Sequence, residues 1–177
     1  MEFSESRLRF EFREVEWNAL VKYDDETDYQ KLKNNVPKTK AVDFVGISNE
    51  NLYLIEVKNY RGHRIASKPK IEELDIILAQ KVRDTLAGMV GGVRNSTHRQ
   101  ELWAKHLAHL AEKGKKLQVI LWMEEDSRVP ARLKVSAGTL TKQLKKRMSW
   151  LSCQVIVANK ANNPLEGKLQ VDFLAEP

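Results

Sequence analysis

The sequence predicts a mixed-sheet α/β (α+β) domain, and three observations carry that prediction. Two β-rich runs flank a polar turn within residues 41–58, a long segment with helical spacing follows, and apolar strands then alternate with further helical segments. A tight turn joins antiparallel strands, whereas a helix between strands makes parallel pairs, so one sheet has to contain both kinds.

Taken in order, residues 7–23 (RLRFEFREVEWNALVKY) fit two patterns. Leu8, Phe10 and Phe12 alternate as in a strand, as do Val15, Trp17, Ala19 and Val21, while Leu8, Phe12, Val15 and Ala19 also fit a helical stripe. Strands are the preferred reading. DDETDYQKLKNN is a polar connector with about one helical turn. Residues 41–47 and 52–58 are strands rich in Val, Ile, Leu, Phe and Tyr. RGHRIASKPK is a basic loop. Residues 71–91 keep three-to-four spacing through Ile71, Leu74, Ile77 or Leu78, Val82, Leu86, and Met89 or Val90, with Gly91-Gly92 as the stop. Residues 97–113 form a second helix ending at Gly114, LQVILWM (117–123) a buried strand, and Leu140, Leu144, Met148 and Leu151 a further helix. CQVIVA (153–158) is expected to be the last buried strand and LQVDFL (169–174) an edge strand.

Between the first two strands the turn is SNEN. If the hairpin is centred between Asn49 and Glu50, paired residue numbers sum to 99: Val45 faces Leu54, Phe44 meets Ile55 and Val42 meets Val57. A register one residue off would set apolar positions against charged ones. This register places Asp43 opposite Glu56, with Cβ atoms in such pairs about 4.5–5.5 Å apart. Lys58 projects from the same face one pleat on. Two carboxylates this close repel unless positive charge lies between them, and Lys58 together with a divalent cation would supply it. A cation held there lowers the pKa of a bound water, and an ammonium beside it orients the attack on a phosphodiester.

Composition bounds the reading. At 177 residues, 42% hydrophobic and 31% charged, the chain suits one folded domain, 1–177, with a sizeable core. A net charge of +6 favours a polyanionic partner. Cys153 is the single cysteine, which excludes an internal disulfide and a cysteine zinc cage. His106 and His109 have a usable zinc spacing, but no cysteine or acid cluster accompanies them, so zinc is not expected. The N-terminus lacks a signal-peptide pattern and no apolar run approaches about 20 residues, so a cytoplasmic setting without a membrane is expected. Trp122 and Trp150 read as core residues.

VDFVGISNENLYLIEVKNYRG resembles the PD-(D/E)XK nuclease superfamily, with Asp43 as the first acid, Glu56 as the second and Lys58 as the lysine. Val42 stands where the pattern's name has Pro. The resemblance implies a restriction-endonuclease-like αβββαβ core, a mixed sheet flanked by helices, and a nuclease using Mg²⁺, with Mn²⁺ able to substitute. It implies metal binding by Asp43, Glu56 and the Val57 carbonyl, and a water-positioning Lys58. Many members add a glutamate from the first helix, for which Glu14, Glu16, Asp25 or Asp28 are candidates. They also add a Gln or Lys on the helix after the motif, here Gln80 or Lys81, with Gln80 counted in the catalytic set. DNA is the implied substrate. Target choice is then structural, non-specific, or delegated to a partner protein or a homodimer, in a defence or repair setting. The alternative is a catalytically silent nucleic-acid-binding or interaction subunit that keeps the fold.

Charge places the nucleic acid. Between Ser127 and Leu165 there is no Asp or Glu, while Lys142, Lys145 and Lys146 lie off the apolar stripe of their helix. Arg61, Arg64, Lys68 and Lys70 follow Lys58 closely and are expected to contact the phosphate backbone beside it.

Overall fold

Two sheets and four helices make up the described residues, which are 1–62, 73–126, 129 and 134–174 of the computed structural model. The strands are β1 Glu2–Glu5, β2 Leu8–Phe12, β3 Ala19–Lys22, β4 Phe44–Ser48, β5 Asn51–Asn59, β6 Lys116–Glu124, β7 Gln154–Ala158 and β8 Leu169–Phe173. The helices are α1 Thr27–Asn35, α2 Leu74–Asn95, α3 Gln100–Ala111 and α4 Ala137–Arg147. The larger sheet runs β3-β4-β5-β6-β7; its first three strands are antiparallel, and β5-β6 and β6-β7 are parallel, so the sheet is mixed as the chain order demands. The smaller sheet, β1-β2-β8, is antiparallel.

Each face of the larger sheet has its own core. On one side Val45, Ile47, Leu52 and Leu54 pack with Leu78, Val82 and Met89 of α2, Trp103 of α3 and Leu140 and Leu144 of α4. On the other, Phe44, Tyr53, Ile55 and Trp122 pack with Leu8, Phe10 and Phe12 of β2 and Val171 of β8. The expectation of helices flanking the sheet is therefore corrected: helices cover one face and the small sheet covers the other. The chain start also departs from αβββαβ. The strands β1 and β2 stand where the resemblance implies a first helix, with β2 in keeping with the strand reading of residues 8–12, and α1 falls between β3 and β4. The β1–β2 turn is a two-residue loop whose residues, Ser6 and Arg7, both take positive φ (51 and 62) without being glycine.

Several local readings change for packing reasons. Leu8, Phe10 and Phe12 do alternate inward, but Val15 is exposed on the 3-10 turn Glu14–Glu16. The helix α2 runs past Gly91-Gly92 to Asn95, because Gly92 meets the Trp103 indole so closely that a Cβ would collide with it. The connector after residue 24 holds a nine-residue helix, α1. The strand β7 is an edge strand, half-buried rather than fully buried, and β8 is an edge of the small sheet. Among the described residues no helix is long and apolar enough to cross a membrane.

Candidate functional site

The β4–β5 hairpin has the expected register. Phe44↔Ile55, Val45↔Leu54, Ile47↔Leu52 and Ser48↔Asn51 all sum to 99, and Asn49 closes the two-residue loop with φ 53. At Asp43 the ladder slips. Its N–H donates to the Ile55 carbonyl (3.0 Å), the residue that Phe44 already faces, in the manner of a β-bulge. The slip puts Val42 in the helix-side core, with its N–H on the Thr85 hydroxyl of α2 (3.0 Å), so Val42 does not meet Val57 as expected. It also turns the Asp43 carboxylate onto the Val57 N–H at 2.6 Å. Asp43 and Glu56 thus remain neighbours across the strand ends, though not as a regular ladder pair.

Both acids are buried, Asp43 at 5% exposure and Glu56 at 1%. Two ammonium groups meet them. Lys58 pairs with Glu56 and reaches the Val57 carbonyl at 3.1 Å. Lys81, one turn before Thr85 on α2, lies 2.8 Å from the Glu56 carboxylate and 3.7 Å from Asp43 Oδ1. Of the two helix positions considered from sequence, Lys81 enters the site. Gln80 does not: its side-chain oxygen accepts from Lys40 Nζ at 3.2 Å. Neighbouring positions on a helix point about 100° apart, so one of them at most can face the carboxylates.

Two further acids converge on Asp43, and the sequence reading missed both. Asp24 sits in the 3-10 turn Tyr23–Asp25 directly after β3, where the Tyr23 N–H bonds the Asp43 carbonyl (2.8 Å). Glu5 ends β1, and its hairpin tip is tied to β5 by the Asn59 side chain on the Ser6 carbonyl (3.0 Å). One oxygen each from Glu5, Asp24 and Asp43 lies within 4.8 Å of the others. Asp24 Oδ1 is buried without a hydrogen-bond partner. Lys22 bridges Glu5 (3.2 Å) and Asp25 (3.1 Å) at the rim.

Burial, and then the Glu56 charge, pushes the Asp43 carboxyl up to about 7, against the pull of Lys81, the Val57 N–H and Lys58. Burial likewise raises Asp24 to about 6, helped by Asp25 and Glu5 and opposed by Lys22 and Lys81. Burial disfavours the Lys58 ammonium, yet its contacts with Glu56 outweigh that and raise its pKa. Lys58 is therefore a cation that donates hydrogen bonds and not a free base. A cleft of about 340 Å³, lined in part by Asp24, Tyr29, Lys33, Lys40 and Lys81, opens beside these groups.

The other sequence candidates fall elsewhere. Glu14 is exposed and pairs with the N-terminal ammonium (3.2 Å), with Glu16 in the same surface turn. Asp28 accepts from the Trp103 indole N–H (2.8 Å). The Arg61 guanidinium lies 3.7 Å from the centroid of the Phe173 ring on β8, so it packs across the strand ends rather than standing free for phosphate. His63, Arg64, Lys68 and Lys70 lie outside the described residues. Lys142, Lys145 and Lys146 are exposed on α4 as expected. Trp122 is a core residue, whereas Trp150 is 56% exposed. His106 is buried with Nδ1 on the Leu102 carbonyl (2.7 Å), in keeping with a core role.

Comparison with known proteins gives little. No family model matches the chain. It is 26% identical, over 172 residues, to a cysteine–tRNA ligase of Neisseria meningitidis serogroup A / serotype 4A, an alignment covering 80% of this chain and 24% of that protein. The chain thus spans about a quarter of the length of that relative. No solved structure matches.

Proposed function

We propose that the chain is a metal-dependent nuclease that hydrolyses DNA phosphodiester bonds on a core of the PD-(D/E)XK kind. The observation that carries this reading is the buried constellation at the ends of β4 and β5: Glu56 paired with both Lys58 and Lys81, Lys81 also near Asp43, and Asp24 and Glu5 beside Asp43. The run β3-β4-β5, α2 and β6 has the order βββαβ if both α1 and α3 are taken as insertions.

The donor set fits a hard divalent cation. Glu5, Asp24 and Asp43 offer carboxylate oxygens, one of them buried and unpaired, and Glu56 with the Val57 carbonyl borders the same space. Asp43, Asp24 and Glu5 would hold Mg²⁺, or Mn²⁺ in its place. Such an ion supplies Lewis-acid polarisation of the phosphoryl oxygen and a more acidic water.

The chain's own groups do the rest. Lys58, kept protonated by Glu56, donates to the attacking water or to the phosphoryl oxygen as negative charge grows there. Glu56 holds Lys58 and Lys81 in place. Lys33, Lys40 and Lys81 line the neighbouring cleft and bind the substrate phosphates. Hydrolysis forms the bond from the water oxygen to phosphorus and breaks the bond from phosphorus to the leaving oxygen, which takes up a proton as the water gives one up. Target choice remains structural, non-specific, or supplied by a partner protein or a second copy of the chain.

The test is incubation of the purified protein with linear, circular and single-stranded DNA in Mg²⁺ or Mn²⁺, with EDTA as control, beside Asp43→Ala and Lys58→Ala. Metal-dependent cleavage lost in both variants is expected. Cleavage that survives both substitutions would overturn the mechanism. A second reading, a silent nucleic-acid-binding module, is favoured by the saturation of Glu56 with two ammonium groups; tight binding without cleavage would select it. The similarity to part of a tRNA ligase makes RNA the second substrate to assay.

A further inference from the structure

Three of the four tryptophans are buried: Trp17 at 7%, Trp103 at 0% and Trp122 at 0%. Trp150 is 56% exposed. Indoles are among the costliest side chains to leave in water, so this one needs a reason. Its ring makes neither of the cation–π contacts found among the described residues, both of which use Phe173.

The neighbourhood of Trp150 is strongly basic. The helix α4 buries Leu140 and Leu144, with Met148 just beyond its end, which leaves Lys142, Lys145 and Lys146 exposed on the opposite side. Trp150 follows this helix by one turn. Arg147 is neutralised by Asp75 at 2.8 Å, whereas the three lysines make no ion pair among the described residues. Basic residues at a helix C-terminus do complement the macrodipole. That accounts for some of the charge, but it gives no reason for an exposed indole in the midst of it.

An exposed aromatic side chain one turn beyond a helix that carries three exposed lysines matches what single-stranded nucleic acid offers, namely free base faces along a line of phosphates. A duplex presents the same phosphates but keeps its bases stacked inside. We infer that Trp150 and the lysine face of α4 form a base-stacking platform for single-stranded nucleic acid. The Arg147–Asp75 pair fixes the end of α4 at the first turn of α2, and the six residues from Asp75 to Lys81 span about 9 Å of helix axis. These contacts tie the segment that carries Trp150 to the helix that sends Lys81 into the Asp43–Glu56 site. The inference rests on the nuclease reading only for what then happens to a bound strand. It gives the site a substrate class, single strands and frayed ends.

The test is a binding titration of the full chain in EDTA, where no cleavage occurs. Affinity for a fluorescein-labelled oligothymidylate and for a duplex of equal length is read by anisotropy, and tryptophan emission is recorded in parallel. Trp150→Ala is expected to weaken single-strand binding about tenfold, as loss of one stacked base does, and to leave duplex affinity unchanged. Trp150→Phe should retain most of the affinity while losing the oligonucleotide-induced quenching, since Trp150 is the exposed fluorophore. Changing Lys142, Lys145 and Lys146 to Gln should weaken both ligands and reduce the salt slope by roughly 0.7–0.9 per lysine. Unaltered single-strand affinity in Trp150→Ala would overturn the proposal. So would a wild-type dimer that Trp150→Ala converts to monomer in sedimentation, because a second copy would then cover the indole. Trp150-dependent binding without cleavage in Mg²⁺ would count against the nuclease and for the platform; cleavage without Trp150 dependence would do the reverse.

Discussion

Adjacent strands of the same sheet end in two very different buried acids. Glu124 closes β6, pairs with Asn59 of β5 in the ladder and is 6% exposed. Its Oε1 accepts the Trp122 indole N–H at 2.9 Å and the Lys160 backbone N–H at 2.7 Å, and among the described residues it makes no ion pair. Near the end of β5, Glu56 and Asp43 meet the ammonium groups of Lys58 and Lys81, and Asp24 has an oxygen with no partner. Burial raises the pKa at both places. The difference lies in the donors. Glu124 is satisfied by neutral N–H groups that packing fixes in position, as a structural carboxylate should be. Around β5, Glu5, Asp25, Asp43 and Glu56 share the ammonium groups of Lys22, Lys58 and Lys81, and Asp24 beside them makes no ion pair among the described residues, so within the paired cluster carboxylates outnumber cations. A structural network avoids that surplus, whereas a cation-binding site requires it.

Substitutions should separate the two acids, and the largest expected effect belongs to the proposed catalytic set. Lys58→Ala is expected to lower the cleavage rate about 10²–10³-fold, as loss of one preorganised donor does, while Glu124→Gln leaves it unchanged. Single-turnover rates on labelled DNA would check this.

The second effect is a pH dependence of stability. Folded Asp43 holds its proton up to about 7, whereas the unfolded carboxyl releases it near 3.8, so the folded state binds more protons between those values. Metal-free stability due to this group should therefore fall as pH rises from about 4 to about 7, by at most about 4 kcal/mol. Asp43→Asn should flatten that part of the curve in chemical denaturation, and Mg²⁺ should oppose the fall in the wild type, since an ion replaces the proton. Glu124→Ala should instead cost stability, about 1–3 kcal/mol at neutral pH, by orphaning the Trp122 and Lys160 N–H groups. Its melting temperature would show this. The smallest contrast is on α2: Lys81→Gln should slow cleavage about tenfold, while Gln80→Ala stays within about twofold.

Much of the β5 end could be read in advance, because strand alternation ties register to chemistry. The sum-99 pairing that buries Val45 on Leu54 holds from Phe44–Ile55 to Ser48–Asn51; it stops short of Asp43, which slips out of the ladder yet stays close to Glu56 and its partner Lys58. The slip at Asp43 was not legible, since it depends on the Val57 N–H and on Thr85 of a distant helix. Asp24 and Glu5 escaped for a similar reason. They reach Asp43 through a 3-10 turn and through a hairpin whose turn residues, Ser6 and Arg7, carry no glycine or asparagine signal. Alternation in residues 8–12 foretold a strand but not the second sheet it belongs to, because nothing local names the surface a strand will cover. Gly92 looked like a helix stop and is a packing glycine instead, and Trp150 looked like core because indoles usually are.

The most direct measurement is Mn²⁺ binding, by calorimetry or electron paramagnetic resonance, to the wild type, Asp43→Asn, Asp24→Asn and Glu124→Gln at pH 7.5. The wild type is expected to bind Mn²⁺ at a site that weakens about 10–100-fold in the Asp43 and Asp24 variants and is unchanged in Glu124→Gln. Equal binding by all four proteins, or none by the wild type, would contradict that expectation.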